Sequence, residues 1–196
     1  MERPPAIRLL VLVEGESDAA AVRALTRVIG VDLGDKVLLQ SADGVTNYSR
    51  VLSGLVQSHP TAAVCGLYDV ADERHVRRAL SVVGAWTPQS DSLEALNFFA
   101  CVLDLEDELI RALGPESVER VIEAEGELPS LRRFQAMPQH RGTPVHQQLR
   151  RFLGTRATRK IRSARRLVEG LSVEHLPPPL RKLANVLRES SGASTH

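Results

Sequence analysis

The stretch Ile7 to Asp18 constrains the fold more than any other part of this 196-residue chain. Within it, Leu9 to Val13 is an unbroken apolar run with the length of a β-strand buried on both faces. The run stops at Glu14, and from Ser17 onward apolar residues recur every three or four positions, which predicts an α-helix. A strand that ends in a carboxylate, followed by a helix that carries a second carboxylate at Asp18, predicts a cation site at the edge of an α/β sheet.

A simpler interpretation of the same residues stays open. Glu14 could merely end the strand, and Asp18 could stabilise the first helical turn through the helix dipole. In both interpretations Gly15 is expected to permit a tight turn between the two elements.

Alternating apolar runs and helical patterns predict an α/β fold with a mainly parallel four-stranded sheet flanked by helices. The predicted strands are Arg8–Val13, Lys36–Gln40, Ala62–Tyr68 and Phe98–Leu103. The predicted helices between them are Ser17–Ile29, Tyr48–Gln57 and Asp72–Val83. The later predicted helices are Glu106–Leu113, Pro115–Glu125, Pro129–Met137, Pro144–Leu153, Arg156–Gly170 and Pro179–Glu189. We therefore divide the chain into an α/β core (1–104), a helical, Arg-rich segment that completes the domain (105–189) and a disordered tail (190–196).

Charge is strongly segregated along the chain, although the net charge is only +1. Residues 1–130 contain 21 acidic and 11 basic residues, a balance of −10, whereas residues 131–196 contain 14 basic and 3 acidic residues, a balance of +11. Such a chain has an acidic part suited to cations and a basic part suited to polyanions such as nucleic acid.

Several classes of protein are disfavoured by the composition. No apolar stretch is long enough to span a membrane, and the N-terminal residues lack a signal-peptide pattern. The two cysteines, Cys65 and Cys101, lie in apolar runs without metal-ligand spacing, so neither a zinc site nor a disulfide is expected. We expect a cytoplasmic protein.

Acidic residues follow three of the four predicted strands. Glu14 ends the first strand, Asp69 ends the third, and the run Asp104 to Glu108 follows the fourth. Together with Asp18 these residues are expected to converge at the C-terminal edge of the sheet. Mg²⁺ prefers oxygen ligands, and two such ions can clamp the attacking and leaving oxygens of phosphodiester hydrolysis.

Three motifs give the chain a resemblance to a known family. V-L-V-E-G-E-S-D at positions 11–18 resembles the glutamate motif of Toprim domains, and L-Y-D-V-A-D-E at 67–73 is similar to their aspartate motif. D-L-E-D-E-L-I-R-A-L-G at 104–114 resembles a motif of the OLD-family endonucleases, in which a C-terminal Toprim region follows an ATPase. No G-x-x-x-x-G-K-[ST] loop is present, so the resemblance implies a stand-alone Toprim protein of bacterial type.

The resemblance also implies roles for individual residues. The predicted metal ligands are Glu14, Asp18, Asp69, Asp72, Asp104 and Glu106. In this assignment Glu14 also acts in acid/base chemistry, and Asp69 and Glu106 serve the first and second of two Mg²⁺ or Mn²⁺ ions. Lys160 corresponds to a late lysine that stabilises charge on the phosphate, although it could equally be one more phosphate-contacting residue.

One departure from the family pattern lies in the aspartate motif. Toprim enzymes usually carry D-x-D, but the residue two positions after Asp69 is Ala71, and Asp72 comes one step later. Asp72 could reach a metal if the strand end is bulged. Otherwise the first metal site lacks a ligand.

Basic residues are concentrated in the segment from Arg150 to Arg166, which contains no acid. The residues predicted to bind nucleic acid, mostly through backbone phosphates, are Arg151, Arg156, Arg159, Arg162 and Arg166. No aromatic residues interleave them, so little sequence readout is expected. The alternative is that these arginines pair with the acidic sheet domain.

The sequence thus favours a Mg²⁺- or Mn²⁺-dependent DNA endonuclease or nickase. A non-catalytic Toprim-like module that binds nucleic acid, or a subunit for a separate ATPase, is the alternative, and an enzyme acting on small phosphorylated metabolites is a third. A homodimer is implied only by the resemblance.

Overall fold

The computed structural model describes residues 6–90 and 92–191. In this part of the chain, four parallel strands form one sheet with the order β2-β1-β3-β4, which confirms the predicted α/β class. The strands are β1 (Leu9–Val13), β2 (Val37–Ser41), β3 (Ala63–Asp69) and β4 (Phe98–Cys101). The acidic motifs therefore follow the two central strands, β1 and β3, and the edge strand β4.

Helices cover both faces of the sheet. The helices of the first half are α1 (Glu16–Val28), α2 (Tyr48–Ser58) and α3 (Glu73–Val82). The helices of the second half are α4 (Leu105–Leu113), α5 (Pro115–Ala124), α6 (Leu128–Ala136), α7 (Val145–Gly154), α8 (Ala157–Glu169) and α9 (Pro178–Ser191). Each matches a predicted helix, with ends that differ by at most two residues, as is usual where terminal turns fray.

Side chains of β1 alternate between two hydrophobic cores. Leu9, Val11 and Val13 are buried against the larger core, to which α1 and the helices of the second half contribute. Leu12 points to the opposite face, into the smaller core with α2 and α3. Because both faces are covered, the strand can be apolar throughout, as its sequence predicts.

Close packing in the centre of the sheet requires Gly66. A Cβ atom at this position of β3 would lie 2.3 Å from the backbone oxygen of Leu12 and 2.9 Å from the ring of Phe98. Leu12 and Gly66 are paired in the register, so Glu14 and Asp69, two and three residues further along their strands, lie at the same edge of the sheet.

Three local expectations need correction. β4 ends at Cys101 rather than at Leu103, because the backbone N–H of Val102 donates to Oε1 of Glu108 at 3.0 Å instead of continuing the strand. Gly15 has φ −141° and ψ 176°, an extended conformation open to any residue, so the turn after β1 does not depend on glycine's freedom. In the predicted tail, residues 190 and 191 belong to α9, and residues 192–196 lie outside the described residues.

Candidate metal centre

Three carboxylates meet at the C-terminal edge of the sheet. Glu14 follows β1, Asp69 is the last residue of β3, and Asp72 follows three residues later. One carboxylate oxygen from each lies within 4.8 Å of the other two, and all three side chains are partly buried. This triad has the oxygen chemistry and the spacing that a hard divalent cation requires, so it could bind a metal ion.

A 3₁₀ turn brings Asp72 into the triad. The turn spans Val70–Asp72 directly after β3, and Asp72 then precedes the first residue of α3. The predicted route was a bulge at the end of the strand. Instead, Val70–Asp72 form a single 3₁₀ turn. This turn brings the carboxylate of Asp72 to Glu14 and Asp69, although Ala71 occupies the position of the second acid in D-x-D.

The triad carries more negative charge than its surroundings neutralise. Burial, followed by the charges of Glu14, Asp18, Asp104 and Glu106, raises the pKa of Asp69 to about 8. Burial, followed by the charges of Asp18 and Asp72, also raises the pKa of Glu14. Carboxylates with raised pKa values gain by sharing a cation, and strongly perturbed groups of this kind cluster at functional sites.

A second group of side chains, Asp18, Glu106 and Lys160, lies beside the triad. Oδ2 of Asp18 accepts a hydrogen bond from the backbone N–H of Gly15 at 3.1 Å. Nζ of Lys160 lies 3.5 Å from Oε2 of Glu106. Although burial lowers the pKa of Lys160, the charges of Glu106, Asp18 and Asp104 outweigh this effect and raise it. Lys160 therefore stands in the acidic centre as an ammonium ion.

Glu106 has one oxygen atom without a partner. The residue is only 3% exposed, and its Oε1 atom is buried without a hydrogen-bond donor among the described residues. Burial raises the pKa of Glu106 to about 7, although Lys160 opposes the rise. A buried carboxylate oxygen left unsatisfied is costly, and a metal ion at this point would satisfy it. Oε1 of Glu106 is therefore a candidate ligand atom for a cation outside the triad.

Asp104 is engaged differently from the other predicted ligands. Its Oδ1 atom accepts from the backbone N–H of Asp107 at 2.8 Å, which caps α4. Its Oδ2 atom accepts from Nε of Arg150 at 2.7 Å. These bonds place Asp104 to orient the start of α4, and so Glu106, while its role as a metal ligand stays a prediction.

Two residues on α7 that were not predicted as site residues contact the start of α4. Arg150 holds Asp104, and Nε2 of His146 lies 2.7 Å from Oδ1 of the buried Asp107. The available signal was spacing: His146 and Arg150 are four apart on α7, and Asp104 and Asp107 are three apart at the start of α4, so each pair lies on one side of its helix.

The predicted nucleic-acid-binding arginines divide into two groups. Arg159 is only 7% exposed and forms an ion pair with Glu127, and its guanidinium lies 4.1 Å from the centre of the Phe152 ring. Arg162 pairs with Glu125 and Glu127, and Arg166 pairs with Glu125 and Glu169. These three partners lie in the helical segment rather than in the acidic sheet domain that the alternative named.

Arg159 is therefore a packing residue, which corrects its expected place on an exposed basic stripe. The reason is that Glu127, just before α6, faces α8 and pairs with the buried guanidinium of Arg159. Arg151 and Arg156 are exposed and remain predicted contacts for nucleic acid.

Comparison with solved structures identifies the fold. The chain superposes on the C-terminal region of the OLD protein of Xanthomonas campestris pv. campestris with a TM-score of 0.67 and 21% identity, covering 97% of this chain and 98% of that one. The C-terminal region of the Burkholderia pseudomallei OLD protein matches with a TM-score of 0.66 and 19% identity, covering 94% and 98%. No protein-family model matches the sequence, and comparison with curated proteins finds no similar sequence. The predicted resemblance to the OLD C-terminal region is confirmed as a likeness of fold.

None of the helices in the described part of the chain is both long enough and apolar enough to cross a membrane.

Proposed function

We propose that this protein hydrolyses phosphodiester bonds in DNA with the help of divalent metal ions, as a nuclease or nickase. The observation that carries the proposal is the meeting of Glu14, Asp69 and Asp72 within 4.8 Å at the edge of the sheet. The fold supports it, because the OLD-family endonucleases that the acidic motifs resemble have a C-terminal region of this fold.

The chain offers ligands for two ions, Mg²⁺ or Mn²⁺. Glu14, Asp69 and Asp72 would hold the first, and Asp18 and Glu106 would hold the second. When bound, such ions supply Lewis-acid stabilisation of a phosphoryl oxygen and lower the pKa of water.

The chain's own residues supply the other functions that hydrolysis needs. Glu14 would take up the proton that the attacking water loses, and its raised pKa suits it to that role. Lys160 places a positive charge beside the acidic centre, where it would stabilise charge on the phosphate as the bond breaks. Asp104 and Arg150 fix the start of α4, so that Glu106 stays in place without needing to move during the reaction.

A second candidate function is a non-catalytic nucleic-acid-binding module or a subunit for a separate ATPase. The Lys160–Glu106 ion pair favours it, because a lysine can replace a metal ion as the partner of a buried carboxylate. In either role the protein could assemble as a homodimer, which sedimentation measurements would show.

The test is an assay on supercoiled plasmid, single-stranded DNA and RNA, each with Mg²⁺ and with Mn²⁺. We expect cleavage of DNA that stops in EDTA and in the Glu14→Ala variant. Glu16→Ala is the matched control, because Glu16 is an acid two residues away with an exposed side chain outside the triad. Cleavage by Glu14→Ala at the unaltered rate would end the assignment, and binding without any cleavage would favour the non-catalytic module.

A further inference from the structure

A groove between α1 and α8 has a strongly basic lining. Its volume is about 490 Å³, and four arginines line it, Arg23 and Arg27 from α1 and Arg162 and Arg165 from α8. The remaining lining residues of the described chain are uncharged, and they include Ile161, which is 37% exposed. The groove thus has an apolar floor and cationic walls.

The groove starts next to the proposed metal centre. Its first residue on α1, Ala20, lies two positions after Asp18, and its first residue on α8, Thr158, lies two positions before Lys160. Arg27 near the end of α1 contacts Glu169 at the end of α8, so the two helices run side by side in the same direction away from the centre. Asp18 and Lys160 lie on another face of each helix from the groove residues two positions away, but at the same end. An occupant of the groove would therefore reach the end of the two helices at which the acidic centre lies.

Three of the four groove arginines form only loose ion pairs within the chain. The exception is Arg162, which pairs closely with Glu125 and Glu127. Arg23 lies 3.9 Å from Glu16, and both side chains are about half exposed. Glu169 is shared by Arg27 at 3.2 Å, Arg165 at 3.8 Å and Arg166 at 3.2 Å, so one carboxylate faces three guanidinium groups. Exposed ion pairs of this kind contribute little, so the arginines can turn to an external anion at small cost.

One donor in the groove is unsatisfied. Nε of Arg165 is buried and has no hydrogen-bond acceptor among the described residues, since Oε1 of Glu169 is 3.8 Å away, beyond hydrogen-bond distance. Guanidinium groups bind phosphate through paired N–H donors, and a phosphate oxygen would satisfy this atom. The unsatisfied donor and the excess positive charge both indicate an anionic occupant.

We infer that the α1–α8 groove holds the phosphate backbone of the DNA strand that enters the metal centre. The inference rests on the proposed function and adds a path for the substrate to it. It also assigns contacts to Arg23, Arg27 and Arg165, which lie outside the stripe predicted from the sequence. Because the contacts are to phosphates, the groove binds strands without regard to base sequence.

The test measures binding of a fluorescein-labelled single-stranded oligonucleotide in EDTA over a range of NaCl concentrations. In the Arg23→Ala/Arg27→Ala variant we expect affinity about tenfold weaker and a log affinity–log salt slope smaller by about 1.4, from two lost phosphate contacts. The control is Arg78→Ala/Arg181→Ala, since both are exposed, lie outside the groove and form no ion pair within the described residues. It should match the unaltered protein.

A double variant that keeps both positive charges distinguishes loss of charge from loss of folding. Arg23→Lys/Arg27→Lys should restore the salt slope, because it keeps both positive charges. Equal affinity and equal salt slope for the alanine double variant and its control would overturn the assignment of DNA binding to the groove. Absence of salt-dependent binding by the unaltered protein would also overturn it.

Cleavage distinguishes this result from failure of the proposed function. If the unaltered protein cleaves and the alanine pair binds and cleaves equally well, only the groove is wrong. If binding depends on the groove but no metal supports cleavage, only the hydrolytic function is wrong.

Discussion

Lys160 and Glu106 form an ion pair, with Nζ 3.5 Å from Oε2, that joins α8 to α4 beside the carboxylate triad. The pair connects residues 54 positions apart, from the basic and the acidic parts of the chain. Lys160 is the cationic member of the cluster that it forms with Asp18 and Glu106. It contacts one oxygen of Glu106, and the other oxygen of Glu106 has no partner among the described residues. Lys160 therefore influences both the charge of the centre and the ionisation of Glu106.

Replacement of Lys160 by methionine should reduce metal-dependent cleavage by about 100-fold, because a charge-stabilising group in the centre is lost. It should also move the acid limb of the pH–rate profile to higher pH. Lys160 lowers the pKa of Glu106, which burial raises to about 7, so without the lysine Glu106 stays protonated to higher pH and is a poorer ligand.

The measurement is kcat against pH for the unaltered protein, Lys160→Met and Lys160→Arg, which keeps the charge. An unchanged rate with an unmoved acid limb in Lys160→Met would remove Lys160 from the centre.

Replacement of Asp69 by asparagine should stabilise the metal-free protein at alkaline pH. The pKa of Asp69 is about 8 in the folded chain, against an ordinary value of 3.8. As pH rises, Asp69 loses its proton at a lower pH in the unfolded chain than in the folded chain. Between these two pKa values the free energy of unfolding therefore falls steadily. Asparagine carries no such cost, and we expect a gain of about 1–3 kcal/mol at pH 8 after solvent screening is considered.

Urea unfolding in EDTA at pH 8 and pH 5 checks this prediction, and the gain should be smaller at pH 5. Lower stability of Asp69→Asn at pH 8 would show that the carboxylates do not repel one another. Added Mn²⁺ should reverse the order, because the unaltered protein binds the ion and is stabilised by it.

Replacement of Asp72 by alanine should weaken Mn²⁺ binding about tenfold or more, because the triad loses one of three carboxylates. Titration calorimetry measures the affinity directly. Glu73→Ala is the matched control, since the neighbouring Glu73 pairs with Arg77 and lies outside the triad. If the two variants bind Mn²⁺ equally well, the 3₁₀ turn after β3 does not supply a ligand.

Replacement of Arg159 by alanine should lower the free energy of unfolding by about 1–3 kcal/mol, because the buried side chain loses its packing against Phe152 and its ion pair with Glu127, which Arg162 still contacts. Arg156→Ala, at an exposed position three residues earlier, should leave stability unchanged and weaken DNA binding. Chemical denaturation and the oligonucleotide assay measure the two effects. Equal stability of both variants would return Arg159 to the set of predicted DNA contacts.

The fold could be predicted largely from local patterns, because both faces of the sheet are covered. The strands are therefore short apolar runs, and the positions of Glu14 and Asp69 follow from where those runs stop. The contacts of Asp72 and Arg159 could not be predicted in this way. Asp72 depends on the path of a three-residue turn, and Arg159 depends on an acid 32 residues earlier that meets it only through tertiary packing. Helical periodicity identifies a face of a helix but does not show what covers that face.

Anomalous diffraction at the manganese edge, from crystals grown with MnCl₂, tests the central claim most directly. We predict a peak at the C-terminal edge of the sheet, about 2.1 Å from a carboxylate oxygen of each of Glu14, Asp69 and Asp72. A well-ordered triad with no peak beside it, at a Mn²⁺ concentration that supports cleavage, would contradict the claim that this acidic centre works by binding divalent ions.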